Sequence, residues 1–344
     1  MNRRFDFYIF FSLVGLSIFS LFNIFGISHS LFQNQAVYIL VGFVALFIFW
    51  YIGINFFKFN SKTFYWMAVI LLVITYIIGF ESRGSRRWID FYFFNFQSSE
   101  FLKIFFILYL SQLFSSKFEL NFQSLIKNSI IFVPPIFLVY KQPDLGNAII
   151  YFLIYMSILF FRGYSIKYFL IGFMFLTALI PISWNFLKQY QKNRLLSFIN
   201  PEKDPSGISY NLIQAVITVG SGGLIGKGLG LGTQSRFSFL PENHTDFAFA
   251  SLVEQFGFIG GFVVILLIGI IIFRLIKKAI HYQHDTFKFL FLIGVITFLL
   301  TQAVINIGMN LGIFPVAGIA LPLITYGGSS IITTMMLLGL AIGL

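Results

Sequence analysis

The sequence has no cysteine, which excludes a disulfide framework and any thiolate metal site. Charge is also scarce: Asp, Glu, Lys and Arg make up 10% of the residues, too few to clothe a water-soluble domain of this size. Histidine occurs four times (His29, His244, His281, His284), and no two carry the i, i+4 spacing of a helical zinc site. What fills the chain is apolar. Its 344 residues are 58% hydrophobic with a mean hydropathy of +0.88, the composition of an integral membrane protein with helical spans. The 49 phenylalanines supply lipid-facing and packing bulk. The net charge of +11 does not mark a nucleic-acid binder, because the basic residues lie in short loops between apolar runs rather than along one stripe.

Apolar runs fall at about 7–25, 36–57, 64–80, 100–114, 129–140, 147–161, 168–187, 247–273, 287–310 and 316–343. They predict an all-α polytopic membrane protein of about ten spans forming one domain over 1–344. The first run lacks a small-x-small cleavage site and is expected to be a retained span. The run 129–140 carries Pro134-Pro135 and should be a broken helix; Pro181 marks a second expected kink.

With the N-terminus in the cytoplasm, the short inner loops hold Arg3, Arg4, Lys58, Lys62, Lys117, Lys127, Arg162, Lys167, Arg274, Lys277, Lys278 and Lys288. The outer short loops hold only Arg83, Arg86, Arg87 and Lys141, so the positive-inside rule is met. The long loop 188–246, between spans seven and eight, then lies outside the cytoplasm. An even number of spans returns the C-terminus inside, with room for a short tail beyond Leu344.

Polar residues that break this pattern are the candidates for chemistry. Arg83, Arg86 and Arg87 crowd one outer turn beside Trp88 and suit either an anionic headgroup or phosphate, or a lipid-surface anchor. Glu100 and Lys103 share a helix face three residues apart, as a substrate-facing pair or a structural clasp. Asp144, in Lys141-Gln142-Pro143-Asp144-Leu145-Gly146, fits an N-cap and a substrate cavity equally. Seven glycines between Gly220 and Gly232 precede Leu240-Pro241-Glu242-Asn243-His244-Thr245-Asp246, and an apolar helix follows at once. The glycine run fails the Walker A pattern at Ser221 and Gly228. Asp246 and Glu254, eight apart, are expected on one face of that helix, as a proton-handling or cation-binding pair. Ile208, Leu212, Ile213, Val216 and Val219 predict the apolar face of an interfacial amphipathic helix, with Asn211, Gln214 and Thr218 elsewhere.

These stretches, with Gln97-Ser98-Ser99-Glu100, Asn306-Ile307-Gly308-Met309 and Tyr326-Gly327-Gly328-Ser329-Ser330 in order, resemble the SEDS family of shape, elongation, division and sporulation proteins. Gly226-Lys227-Gly228, Gly232-Thr233-Gln234-Ser235 and Tyr190-Gln191 upstream of Arg194 look like its RodA elongation branch more than its FtsW division branch. Ser98, Asn95 and Gln255 depart from residues common in the family. The resemblance implies a peptidoglycan glycosyltransferase of the bacterial inner membrane that polymerises lipid II into undecaprenyl-pyrophosphate-linked glycan beside a class B penicillin-binding protein. It also implies that Asp246 is the catalytic aspartate and that Glu100 and Lys103 are the family's intramembrane pair.

An α-linked donor and a β-linked product need one inversion, hence one general base and a stabilised leaving group. The expected base is Asp246. Arg86, Arg87, Lys141 and Arg194 are expected at the pyrophosphate, and Glu100, Lys103, Asp144, Gln234, Glu242, His244 and Glu254 among the further substrate contacts. A divalent cation, Mg2+ or Mn2+, at Asp246 or Glu254 is a further expectation that no residue pattern fixes. The rival is a lipid II flippase without chemistry, for which buried charges serve equally well.

Overall fold

The computed structural model describes residues 5–82, 85–90, 95–116, 120–186, 192, 196, 198, 209–237 and 239–344. Arg194 and the side chain of Arg86 lie outside that description, as do Tyr190-Gln191 and the start of the expected 188–246 loop. The chain is an all-α membrane protein with one small sheet. Helices α1 (Phe7–Ile27), α2 (His29–Ile52) and α3 (Ile54–Ile78) are followed by strands β1 (Phe80–Ser82), β2 (Ser85–Asp90) and β3 (Asn95–Gln97), antiparallel in the order β1-β2-β3. Then come α4 (Ser98–Ser115), α5 (Phe122–Ser129), α6 (Val133–Lys141), α7 (Leu145–Arg162) and α8 (Ile166–Phe186). The last five are α9 (Tyr210–Ser221), α10 (Thr233–Arg236), α11 (Ala248–His281), α12 (Thr286–Asn310) and α13 (Gly328–Ile342).

Among the described residues, seven helical stretches are long and apolar enough to cross a membrane: α1, α2, α3, Phe122–Lys141, α7, α11 and α12. Large apolar side chains stand exposed along them, Phe11, Leu40 and Ile70 among others, a surface that suits lipid and would aggregate in water. α4 is the central helix. Leu102 to Leu110 are buried on every side, against α3, α7, α12 and α13, so its charged residues have no route to lipid.

Several helix ends differ from the hydropathy reading. α3 begins at Ile54, so Lys58 and Lys62 ride on the helix instead of in a loop, and the Lys58 ammonium lies 4.9 Å from the Phe287 ring centroid. Arg274, Lys277 and Lys278 likewise sit on α11; Arg274 pairs with Asp6 at 3.0 Å, tying α1 to α11. The proline break is real. A 3-10 turn at Ile130–Phe132 separates α5 from α6, and Tyr65 Oη donates to the Ile131 carbonyl (2.8 Å), whose helical donor Pro135 cannot supply. Pro181 lies within the helical run of α8.

α9 is helical as expected but rotated. Its buried residues are Leu212, Ala215 and Thr218, whereas Val216 and Ile217 are exposed, because the helix packs on α11 and α12 instead of lying free on the interface.

Candidate functional site

The segment 240–247 folds into turns stacked on the end of α12. Glu242 adopts a left-handed backbone (φ 55), a conformation costing about 1–3 kcal/mol outside glycine. Local bonds offset it: Thr245 Oγ1 donates to Glu242 Oε2 (2.7 Å), and the Thr245 and Phe247 amides donate to the Glu242 carbonyl, both at 3.1 Å. Two asparagines one turn apart on α12 then grip the backbone of Asp246. Asn306 Nδ2 and Asn310 Nδ2 donate to its carbonyl at 3.3 and 3.1 Å, while Asn310 Oδ1 accepts from the Ala250 amide at 3.0 Å. On the other side the Tyr326 amide donates to the His244 carbonyl (2.8 Å), with the Tyr326 and His244 rings edge to face at 5.6 Å. Glu242, His244 and Asp246 are all half-buried.

Asp246 and Glu254 do not form a pair on one helical face. α11 starts at Ala248 with Phe247 at its N-cap position, so Asp246 belongs to the turn before the helix. Glu254 is fully buried and its carboxylate is occupied. Oε1 accepts from Lys227 Nζ (3.0 Å), the Gln234 amide (2.9 Å) and Thr233 Oγ1 (3.4 Å); Oε2 accepts from the Ser235 amide (3.0 Å) and hydroxyl (2.7 Å). It holds down the N-terminus of α10, where anionic groups are favoured. Gln234 acts through its backbone in this clasp, and its side-chain Oε1 is buried without a partner. A ready-made metal cage does not fit these residues, since Glu254 is committed and no three His, Asp or Glu side chains gather among the described residues.

The glycine run is explained by the same helix. α11 breaks at Gly257 (φ 70), freeing backbone groups on both sides. The Lys227 and Gly228 amides donate to the carbonyls of Glu254 and Gln255 (2.9 and 3.1 Å), and the Phe258 and Ile259 amides donate to those of Gly223 and Leu224 (2.8 and 3.1 Å). A Cβ at Gly226 would stand 2.2 Å from the Gln255 oxygen, so only glycine admits this backbone-to-backbone approach.

A second polar cluster lies under the β-hairpin. Asp144 caps α7 by accepting from the Asn147 amide (3.1 Å) and also receives Asn147 Nδ2 (2.9 Å) and Gln97 Nε2 (3.2 Å). Arg87 Nη1 is 3.7 Å from the same carboxylate, and Arg87 donates to the carbonyls of Gln142 (3.1 Å) and Pro143 (2.5 Å). Arg87 thus braces the 142–144 turn and keeps 22% of its side chain exposed, whereas Lys141 lies exposed with its ammonium 5.4 Å from the Phe137 ring centroid. One turn into α4, Lys103 Nζ meets Glu100 Oε1 at 2.6 Å, both buried. The two clusters share the N-terminus of α13: Tyr326 holds the Asp246 segment, and Ser329 Oγ accepts from the Gln97 amide (2.9 Å).

Sequence reasoning named Asn306 within a motif but missed its task, missed Asn310, and named Ser329 too only within a motif. The signal was present for the first two, amides four residues apart in an otherwise apolar helix. Replacing Asn310 by Leu removes one of the two asparagine donors to the Asp246 carbonyl and leaves the buried Ala250 amide without its acceptor, at about 1–3 kcal/mol for that unsatisfied group. The expected result is a lower unfolding temperature in detergent together with a loss of activity; unchanged values of both would show that the α12 asparagines do not hold the loop.

A model of the cell cycle protein family FtsW/RodA/SpoVE matches residues 4–344. The chain is similar to the peptidoglycan glycosyltransferase MrdB of Escherichia coli strain K12, with 40% identity over 277 residues covering 79% of this chain and 74% of that one. MrdB of Helicobacter pylori is 34% identical over 343 residues, covering 98% and 89%. Among solved structures, a chain of a peptidoglycan synthase complex that coordinates polymerization and crosslinking superposes with a TM-score of 0.85 at 27% identity, covering 98% of this chain and 96% of that chain. A mutant of the rod shape determining protein RodA of Thermus thermophilus gives 0.75 at 25% identity with the same coverage.

Proposed function

This chain belongs to the FtsW/RodA/SpoVE family of cell cycle proteins, and from that premise we propose how it works as a peptidoglycan glycosyltransferase of the RodA type. The substrate is lipid II, and the product is a glycan strand still tethered to its lipid pyrophosphate. Asp246 is the general base: it takes the proton from the acceptor sugar's 4-hydroxyl as that oxygen attacks the donor's anomeric carbon. The bond to pyrophosphate breaks in the same displacement, so configuration inverts once and no covalent enzyme intermediate forms. Arg87, with Arg86, Lys141 and Arg194, supplies charge-assisted donors for the departing pyrophosphate.

The observation that carries this reading is the way Asp246 is held. Its backbone carbonyl is gripped by Asn306 and Asn310, while the neighbouring Phe247 takes the N-cap position of α11. Pre-organised backbone around a half-buried carboxylate is what a positioned base requires. The chain is read as lying in a bacterial cytoplasmic membrane with its N-terminus inside and the Asp246 side outside, next to a class B penicillin-binding protein that crosslinks the strands.

Purified protein given lipid II, with and without that partner, should produce glycan strands resolvable by gel electrophoresis. Transfer of lipid II across a liposome bilayer with no strand formation under either condition would favour the flippase reading instead.

A further inference from the structure

The glycine loop between α9 and α10 has a second property that its bonding to α11 does not explain. Its apolar side chains point away from the protein. Leu224 is 71% exposed, Ile225 79% and Leu231 62%, next to Phe258, Ile259 and Phe262 on α11, each more than half exposed. Its one charged side chain, Lys227, turns the other way, onto Glu254 and Thr233.

The depth of this loop follows from α11. Arg274, Lys277 and Lys278 mark the charged end of that helix. A hydrocarbon core of about 30 Å at a rise of about 1.5 Å per residue takes up roughly 20 residues, which counts back from Arg274 to the neighbourhood of Glu254. The break at Gly257, and with it the carbonyls of Gly223 and Leu224 that bond Phe258 and Ile259, lies on the hydrocarbon side of that limit. α1 gives the same level, since Gly230 packs against Gly26 near the end of that span. Non-helical backbone is tolerated at such depth only where its polar groups are satisfied by protein. Here three amides and two carbonyls of the loop are paired with the broken helix, and the Gly226 amide is paired within the loop.

We propose that residues 222–231 form a shallow re-entrant loop whose tip, Leu224 and Ile225, is solvated by acyl chains of the bilayer leaflet on the Asp246 side. Its inner edge is welded to the helix break, its only charge faces inward, and its outer edge continues the lipid-facing surface of α11. Lipid is the occupant that satisfies all three features at once.

The chain has no cysteine, so single cysteines at Ile225, Phe262 and Arg236 can each carry a spin label on an otherwise native background. With the full chain in phosphatidylcholine–phosphatidylglycerol nanodiscs, power saturation compares collisions with oxygen, which concentrates in lipid, and with a neutral nickel chelate, which stays in water. Ile225 should match lipid-facing Phe262, with oxygen access exceeding nickel access, and should be opposite to exposed Arg236. An Ile225 label in the water regime of Arg236 would overturn the proposal. So would low access to both reagents, because the tip would then be covered by protein. The three sites are exposed, so labelling does not depend on repacking the core.

Discussion

Asparagine at position 246 should leave the protein folded and able to bind lipid II, while strand synthesis falls by about 10²–10⁴-fold, the usual cost of removing a general base. The structure sharpens this expectation. The bonds that fasten residue 246 to α12 end on its backbone carbonyl, and Asp246→Asn keeps that carbonyl in place. Asn caps a helix about as well as Asp, so a purely capping role at the start of α11 predicts almost no effect from the change. The Asn side chain matches the size of Asp and can hydrogen-bond, but it cannot accept the proton. Initial rates of strand formation by purified wild-type and variant protein, with lipid II binding measured in parallel, test this directly. A rate within a few-fold of wild type would remove Asp246 from the mechanism.

The second large effect is expected deep in the bundle. Glu100 and Lys103 are buried, 2.6 Å apart, and the Lys103 ammonium lies 5.3 Å from the Phe298 ring centroid. Such a pair is weak evidence for stability as a whole, since desolvation offsets the attraction, but breaking it strands one charge at a cost of about 3–5 kcal/mol. Glu100→Gln and Lys103→Met should therefore each lower the unfolding midpoint sharply, and the double variant should lie closer to wild type than either. The double-mutant cycle isolates the coupling between them. Additive losses would mean that the two side chains act separately, each on something other than its neighbour. Activity of a stable double variant asks the remaining question: retained strand synthesis marks the pair as a clasp, and loss at restored stability marks it as a substrate contact.

Much of the bundle was legible before any coordinates. Pro134-Pro135 announced a broken helix because proline removes a donor whatever surrounds it, and the structure has its 3-10 turn there. Lys103 and Glu100 announced a pair because two charges three residues apart in an apolar helix have little choice. Where the local argument left alternatives, as at Asp144, the structure shows the N-cap bond that was one of them and adds partners that sequence spacing does not encode, the side chains of Gln97 and Arg87.

Glu254 shows where sequence runs out. Its eight-residue spacing from Asp246 assumed one continuous helix, but the turn at 240–247 ends before α11 begins, and the helix itself breaks three residues beyond Glu254. The carboxylate then meets five donors from residues 227–235, brought to it by a loop whose glycines permit backbone to lie on backbone. By itself the sequence determined that this chain is helical, membrane-spanning and built around a few buried charges, because composition, hydropathy and proline act locally. Only the tertiary structure decided that Glu254 is spent holding a loop while Asp246 sits in a turn fastened by its backbone carbonyl. A carboxylate's role depends on the donors that reach it, and those come from segments distant in the chain.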